Sequence, residues 1–157
     1  MASSRFVPRD LQPELPQSKF IISHKPEGDD VVPFDVVFVG AGPAGLAGAI
    51  ELAKLVKADG QISVEIGVLE KAGSLGGHSL SGAVINPLSM RELFPDLKDS
   101  DFPFRRPVTG EKVYLMSKAG AYRLPTPPTM KNHGYYVASL CEVVRWLGSQ
   151  AESLGVN

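Results

Sequence analysis

The chain has 157 residues, of which 43 % are hydrophobic and 21 % are charged, and its formal net charge is −1. This composition permits a packed core and argues against wholesale disorder, and the near-neutral charge gives no sign of nucleic-acid binding. The single cysteine, Cys141, excludes an internal disulfide and a metal site built from cysteines alone. A reducing compartment is the simplest interpretation.

No apolar run approaches the ~20 residues that a membrane-spanning helix needs. The N-terminal sequence MASSRFVPRDLQPELPQ lacks the apolar segment of a secretory signal, and its acidic residues Asp10 and Glu14 fit poorly with an organelle transit peptide. Residues 1–33 contain five of the 13 prolines and show no sustained periodicity. We expect an extended N-terminal arm there, docked by four apolar side chains: Phe6, Phe20, Ile21 and Ile22.

A strand–turn–helix–strand pattern begins at Phe34. The continuous apolar run DVVFV (35–39) predicts a strand buried on both faces, as in a parallel sheet. Apolar residues then recur at helical spacing from Pro43 to about Lys57, and proline is favoured in the first turn of a helix. The segment VEIGVLE (64–70) predicts a second buried strand, so the pattern is one βαβ unit with a right-handed crossover.

The rest of the chain predicts a long loop, a short helix, a hairpin and a final helix. KAGSLGGHSLSGAVINP (71–87) is too polar for a core, and PLSMRELFPDL (87–97) is typical of a short helix. KVYLMSKAGAYRL (112–124) predicts two strands around a turn near Lys118–Gly120. The segment 135–155 carries an apolar stripe at helical spacing.

The ends of this final helix carry recognisable capping residues. Ser139 and Glu142 have the spacing of a capping box, and Gly155 is a good helix stop. Two strands and one hairpin cannot cover both faces of a doubly wound sheet. We therefore expect an α/β fold: the Rossmann-like βαβ start of a glutathione-reductase-type FAD-binding domain, incomplete, with a small β-hairpin insertion. On this interpretation residues 34–157 are the truncated first segment of that domain, and the chain is a fragment.

The motif G-x-G-x-x-G follows the first strand and opens the helix. Gly40 permits the tight turn, Gly42 lets backbone approach a pyrophosphate, and Gly45 lets helix and strand pack closely. The helix N-terminus then faces the phosphates. Glu70, at the end of the second strand, can accept hydrogen bonds from the adenosine ribose, and its charge disfavours the 2′-phosphate of NADP.

The separation of Glu70 from Gly40 exceeds the usual interval of about 20 residues. We place the excess in a long helix and in the connection KADGQIS, because the alternative acids Asp59 and Glu65 do not end the second strand. The βαβ unit alone does not separate FAD from NAD. A second glycine pair, Gly76-Gly77, favours a close approach of backbone to the flavin side of a longer cofactor, and the alternative is a flexible surface loop.

Five segments in one order, VGAGPAGLAGAIELAKL, VLEKAGSLGGHSLSGAVINP, RELFPD, NHGYYV and VVRWLGSQAESLGV, resemble the N-terminal part of electron-transfer flavoprotein:ubiquinone oxidoreductases. The resemblance covers about residues 34–157. The glycine fingerprint is shared by many flavoproteins, whereas GGHSLSG together with the later NHG and RWL is far more selective.

The resemblance implies a glutathione-reductase-like FAD domain, a quinone-binding domain and a domain with a 4Fe-4S cluster. Such enzymes take electrons from reduced electron-transfer flavoprotein and pass them to ubiquinone at the membrane. The implied location is peripheral, on the cytoplasmic side of a bacterial inner membrane or at the mitochondrial inner membrane. The cluster cysteines of the family lie downstream, and Cys141 is not one of them.

The resemblance also implies which residues contact FAD. The expected ADP contacts lie in the first glycine turn and at the second strand end, and the expected wall beside the pyrophosphate and isoalloxazine is the second glycine segment. The full expected set is Gly40, Ala41, Gly42, Pro43, Ala44, Gly45, Glu70, Lys71, Gly76, Gly77, His78, Ser79, Leu80, Ser81 and Gly82.

Other conspicuous residues have simpler interpretations. His78 and His133 are expected to brace backbone rather than to catalyse, and Cys141 to be a small buried apolar residue. Trp146 and Leu147 are expected in the core, and the charges Lys98, Arg105 and Arg106 on a solvated face. The sequence shows no Ser–His–Asp set and no metal-spaced cluster, and it leaves the catalytic residue unknown. In enzymes of this kind the chemistry belongs to the flavin, and the protein mainly positions and tunes it.

Two alternatives to the quinone-linked enzyme stay open on the sequence. One is a geranylgeranyl-reductase-like or monooxygenase-like flavoprotein, which shares the opening motifs. The other is a non-catalytic nucleotide-binding remnant. We expect the isolated chain not to hold FAD stoichiometrically, because the predicted domain is incomplete.

Overall fold

The computed structural model describes Gly28 and residues 31–157. The chain divides into two units, residues 1–33 and 34–157, and the second is described below. The predicted N-terminal arm and its docking side chains lie outside the described residues, except at Gly28 and residues 31–33. In the part of the chain that is described, no helix has the length and apolar character to cross a membrane.

The βαβ unit is confirmed. Strands β1 (Val36–Val39) and β2 (Ile66–Leu69) pair in parallel, and helix α1 (Pro43–Asp59) connects them. The backbone of Asn157 continues this sheet on the other edge of β2, because its N–H donates to Ile66 O (2.9 Å) and its carbonyl accepts from Val68 N (2.7 Å). The long α1 takes up most of the separation between the glycine turn and Glu70, as predicted.

The expected burial of both sheet faces is wrong. The inward side chains Phe38 and Val68 pack against the core, but Val39 is 87 % exposed and Leu69 is 56 % exposed on the opposite face. Apolar burial is the main driving force for folding, so a parallel pair normally has cover on both sides. Among the described residues, the Phe34 ring packs on this second face at Gly67, but Val39 and Leu69 stay largely exposed there.

The turn between β1 and α1 depends on two glycines. Gly40 has φ +104°, a conformation that favours glycine, and its N–H donates to Leu69 O (2.7 Å). A Cβ on Gly45 would overlap the carbonyl oxygen of Gly40, so the helix starts this close to the strand only with glycine there. Gly42, the N-cap residue, has φ −78° and nothing within 4 Å of an added Cβ.

A second, antiparallel sheet was missed by sequence reasoning. Strands β3 (Ala83–Ile85), β4 (Phe104–Pro107) and β7 (Tyr136–Ala138) form it in the order β3-β7-β4. The predicted loop 71–87 therefore contains a strand, and the predicted helix 135–155 begins with one. Runs of three or four residues are too short to show a period of two, and cross-strand pairing decides their conformation.

The predicted short helix is α2 (Leu88–Leu93), and the predicted hairpin is β5 (Val113–Ser117) with β6 (Gly120–Leu124). The hairpin pairs Val113 with Leu124 and Ser117 with Gly120. Nearly every residue in it is exposed, including Met116 at 72 %. It therefore gains little stability from the core.

Helix α3 (Leu140–Ser153) begins after Ser139, but the predicted capping box does not form. The Ser139 side chain makes no cap hydrogen bond, and Glu142 instead pairs with Arg105 on β4 at 2.7 Å, because a cation is a stronger partner than a backbone N–H. Arg105 is thus ion-paired as well as solvated. The predicted stop at Gly155 is confirmed by its φ of +86° and by the bond from Val156 N to Ala151 O (3.1 Å).

The core lies between α1, α3 and an aromatic cluster. Ile50 and Val144 are fully buried, and Leu147 is buried as expected. Trp146 makes edge contacts with Phe94 and Phe102, at centroid distances of 5.0 and 5.7 Å, so its predicted packing role is confirmed.

A polar triad fixes the edge of this cluster. Asp99 accepts hydrogen bonds from Arg91 Nε (2.8 Å) and Nη2 (2.6 Å) and from the Tyr136 hydroxyl (2.7 Å). The hydrogen bond from Arg91 and, to a smaller extent, the hydrogen bond from Tyr136 lower the pKa of Asp99 to about 2. The same contact with Asp99 raises the pKa of Tyr136.

Replacing Asp99 with Asn should destabilise the fold in a pH-dependent way. The folded-state pKa of Asp99, about 2, lies below the ordinary value of 3.8. The carboxylate therefore stabilises the fold above pH 3.8, and this contribution is lost as the pH falls through 2. Thermal melts should show the variant about 1–4 °C below wild type at pH 6 and equal to it near pH 2. The same difference at both pH values would contradict the role of the triad.

Gly45→Ala should destabilise the fold by at least about 2 kcal/mol, because the added Cβ overlaps the Gly40 carbonyl and the turn must open. Gly42→Ser is the matched control, since its Cβ enters open space and serine is a favoured N-cap residue. Urea unfolding should leave this control within about 0.5 kcal/mol of wild type. Equal losses in the two variants would mean that the close approach at Gly45 is not what fixes the turn.

Candidate functional site

A cleft of about 270 Å³ opens beyond the carboxyl ends of the parallel strands. In open α/β sheets this edge is where ligands bind. The cleft brings together residues from the turn after β1 and from the loop after β2. Its lining residues all belong to the set expected from the sequence: Ala41, Gly42, Glu70, Lys71, Gly76, Gly77, His78 and Ser79.

One wall of the cleft is the start of α1. Gly42 caps the helix, and the first N–H groups of a helix have no partner within it. These groups and the helix dipole make a positive surface that suits a phosphate or another anion. The space that a Gly42 Cβ would occupy contains no protein atom, so a ligand can approach the backbone there.

The carboxylate of Glu70 ties the two halves of the cleft together. Its Oε2 accepts the Ala41 N–H (3.0 Å), and its Oε1 accepts the Ala72 N–H (2.8 Å). The hydrogen bonds from Ala72 and Ala41 lower the pKa of Glu70, so the group is ionised at neutral pH. A carboxylate has about four acceptor positions, so capacity remains for a ligand hydroxyl.

The other wall comes from the segment of residues 71–82, which we call the cleft loop. A turn forms its centre, with hydrogen bonds from Gly77 N to Ser74 O (3.1 Å) and from Ser79 N to Gly76 O (3.0 Å). Gly76 has φ +74°, and an added Cβ there would lie 2.7 Å from the carbonyl oxygen of Cys141. The structure therefore explains this glycine by packing against α3, and a ligand is not needed to account for it.

Several expected residues lie outside the cleft lining. Leu80 is 76 % exposed, and Ser81 and Gly82 are exposed beyond the end of the turn. Gly40 lines a neighbouring hollow of about 350 Å³ with Glu70 and Lys71. Pro43, Ala44 and Gly45 form the first turn of α1 and act through its backbone. His133 is exposed and does not line the cleft.

Two residues of α3 contact the cleft loop and were not identified as functional from the sequence. Cys141 is half-buried, and its Sγ–H donates to Ser79 O (2.9 Å), so the expectation of a purely apolar role is wrong. Arg145 Nε donates to Leu75 O (3.2 Å). Only the tertiary fold brings these helix residues to the loop, so no sequence signal near either one marks the contact.

Comparison with known sequences gives one family. No protein-family model matches the chain. Electron transfer flavoprotein-ubiquinone oxidoreductase of Dictyostelium discoideum is 48 % identical over 124 residues, which are 79 % of this chain and 20 % of that protein. The Pseudomonas aeruginosa protein of the same name is 46 % identical over 128 residues, 79 % of this chain and 23 % of that one. The human mitochondrial protein is 43 % identical over 127 residues, 78 % of this chain and 20 % of that one.

Comparison with solved structures shows the fold. A geranylgeranyl bacteriochlorophyll reductase-like protein from Thermoplasma acidophilum matches with a TM-score of 0.50 and 21 % identity, over 79 % of this chain and 29 % of its own. CtdE in complex with FAD matches with a TM-score of 0.50 and 23 % identity, over 78 % of this chain and 28 % of its own. These likenesses confirm the predicted Rossmann-type α/β fold.

The chain spans about a fifth of the length of the curated relatives that it matches. The matched part contains both walls of the cleft. Over these residues the chain belongs to the electron transfer flavoprotein-ubiquinone oxidoreductase family.

Proposed function

We propose that residues 34–157 form an FAD-binding segment of an oxidoreductase that passes electrons from reduced electron-transfer flavoprotein to ubiquinone. The observation that carries this proposal is the cleft, where the glycine turn, Glu70 and the cleft loop meet. Its lining fits the ADP half of FAD: a helix N-terminus for the diphosphate and an ionised acid for the ribose. FAD itself supplies the redox chemistry, and the protein positions it.

The phosphate side of the proposal rests on the start of α1. Gly42 leaves open space above the helix N-terminus, and the fold does not need a glycine at this position for packing. The diphosphate would lie against the first N–H groups of α1, with the turn of Gly76 to Ser79 opposite. Lys71 and His78 line the same cleft, and the Lys71 ammonium would add positive charge near the phosphates.

The ribose side rests on Glu70. Its two hydrogen bonds keep the carboxylate ionised and fixed between the turn and the loop, and the residue lines the cleft. A ribose 2′-hydroxyl would donate to it, whereas a 2′-phosphate would be repelled. The arrangement supports FAD over an NADP-type nucleotide.

The electron partners follow from the family and involve residues beyond this segment. A 4Fe-4S cluster needs four thiolates, and this chain has one cysteine, Cys141. The ligands of such a cluster would therefore come from another part of the longer enzyme. We propose peripheral attachment to the cytoplasmic side of a bacterial inner membrane or to the mitochondrial inner membrane, since relatives occur in Pseudomonas aeruginosa and in mitochondria.

The alternative flavoprotein classes have weaker support. The geranylgeranyl reductase-like structure is 21 % identical, and a likeness at this level shows the fold and not the function. The oxidoreductase relatives reach 43–48 % identity. A non-catalytic nucleotide-binding remnant would keep weak ADP affinity or none, so a complete absence of ADP binding in the cleft would favour it over the proposal.

Titration with ADP, followed by amide shifts in NMR spectra, tests the proposed site. We expect weak binding, on the order of millimolar, with the largest shifts at Gly42, Gly45 and Gly77. Gly42→Val should weaken binding at least tenfold, because its side chain fills the diphosphate position. Gly110→Val is the matched control, since Gly110 also has open space around an added Cβ and lies outside the cleft lining.

Equal ADP affinity in the two glycine variants would place the diphosphate elsewhere. No ADP binding by wild type would favour the non-catalytic remnant. The purified chain should also lack flavin absorbance, because the described residues leave Val39 and Leu69 exposed on one sheet face. A yellow chain with stoichiometric FAD would contradict the expected incompleteness of the domain.

Glu70→Gln tests the ribose contact. The variant removes the negative charge, so the preference for ADP over 2′-phospho-ADP should fall by about tenfold or more, a change equivalent to about 1.4 kcal/mol. The ratio of the two affinities is the proper measurement. Loss of one hydrogen bond between a backbone N–H and residue 70 would weaken the binding of both ligands to the same extent and leave the ratio unchanged. An unchanged ratio would show that Glu70 braces the turn without facing the ribose.

A further inference from the structure

The cleft-lining turn is held at both ends by one helix. Arg145 Nε donates to the carbonyl of Leu75, and Cys141 Sγ–H donates to the carbonyl of Ser79. Of the five loop residues that line the cleft, four lie at or between these two anchor points, Gly76 to Ser79, and Lys71 precedes them. Contacts at the two ends of a short segment restrict the whole segment between them.

Packing of α3 against the loop supports the same anchor. The Cα of Gly76 lies against the backbone of Cys141, so that an added Cβ would be 2.7 Å from its carbonyl oxygen. Two turns of helix further on, the side chain of Leu75 occupies the space beside Gly148 that a larger residue would need. Two hydrogen bonds and two close contacts therefore join α3 to residues 75–80.

The loop has little else to hold its centre in place. Among the described residues, its other hydrogen bonds are the turn bonds of Gly77 and Ser79, the bond from Ala72 to Glu70 at its beginning, and a longer bond from Cys141 Sγ–H to Leu80 O (3.6 Å). Gly77 and His78 are exposed. A wall of this kind binds a ligand well only if its geometry is fixed beforehand, since ordering a mobile segment on binding costs affinity.

We propose that Cys141 and Arg145 are positioning residues that hold the cleft loop in the geometry that receives the nucleotide, an inference that rests on the proposed function. The helix that supplies them belongs to the core, through Val144 and Leu147 on its buried face. The position of the phosphate-side wall is thus set by α3 from outside the βαβ unit.

Amide hydrogen exchange separates this role from general stabilisation. In the double variant Cys141→Ala/Arg145→Ala, exchange at Gly77 and Ser79 should rise about three- to tenfold, which corresponds to one or two lost hydrogen bonds. Exchange within α1 should not change. The conservative pair Cys141→Ser/Arg145→Lys keeps a donor at each position and should restore slow exchange, and Arg123→Ala on the exposed hairpin is the arginine control.

The affinity for ADP should fall in the variants in which loop exchange rises. The alanine pair should bind ADP about three- to tenfold more weakly than wild type, and the conservative pair should match wild type. Unchanged loop exchange in the alanine pair would overturn the inference, and so would a uniform rise in exchange throughout the chain. If wild type binds no ADP but loop exchange still rises in the alanine pair, Cys141 and Arg145 do hold the loop in place. In that case the proposed nucleotide site is wrong, and the positioning of the loop is not.

Discussion

The carboxylate of Glu70 is the constraint on which the site depends. It accepts one backbone N–H from the turn after β1 and another from the loop after β2, and so it fixes two segments that are distant in sequence. The parallel pairing of the strands brings these segments to the same edge, and the carboxylate then sets their separation. A residue usually considered only as a ribose contact thus also assembles the cleft that would receive the rest of the nucleotide.

The fold supports this edge from two sides. The close start of α1, made possible by Gly45, places the helix N-terminus at the cleft, and α3 holds the opposite loop through Cys141 and Arg145. These helices pack together in the core, so the two walls share one rigid support. The exposed residues Val39 and Leu69 lie on the other side of the sheet, where Phe34 covers only the part at Gly67.

The sequence predicted the elements whose signals are local and strong. The G-x-G-x-x-G motif, the 17-residue α1, the hairpin and the stop at Gly155 were found because turn chemistry and helical periodicity appear within a few residues. It did not predict β3, β4 and β7, since three- or four-residue strands acquire their conformation from pairing. The predicted capping box does not form, because Glu142 pairs instead with Arg105, which is distant in sequence. The contacts of Cys141 and Arg145 with the cleft loop likewise could not be predicted from the sequence, because only tertiary packing brings α3 to the loop.

The most direct test is a crystal structure of the chain with ADP bound. We expect the diphosphate in the cleft between Gly42 and Gly77, within hydrogen-bond distance of the first N–H groups of α1, and the ribose beside the Glu70 carboxylate. Ordered ADP anywhere else on the chain, or a diphosphate that makes no contact with the start of α1, would contradict it.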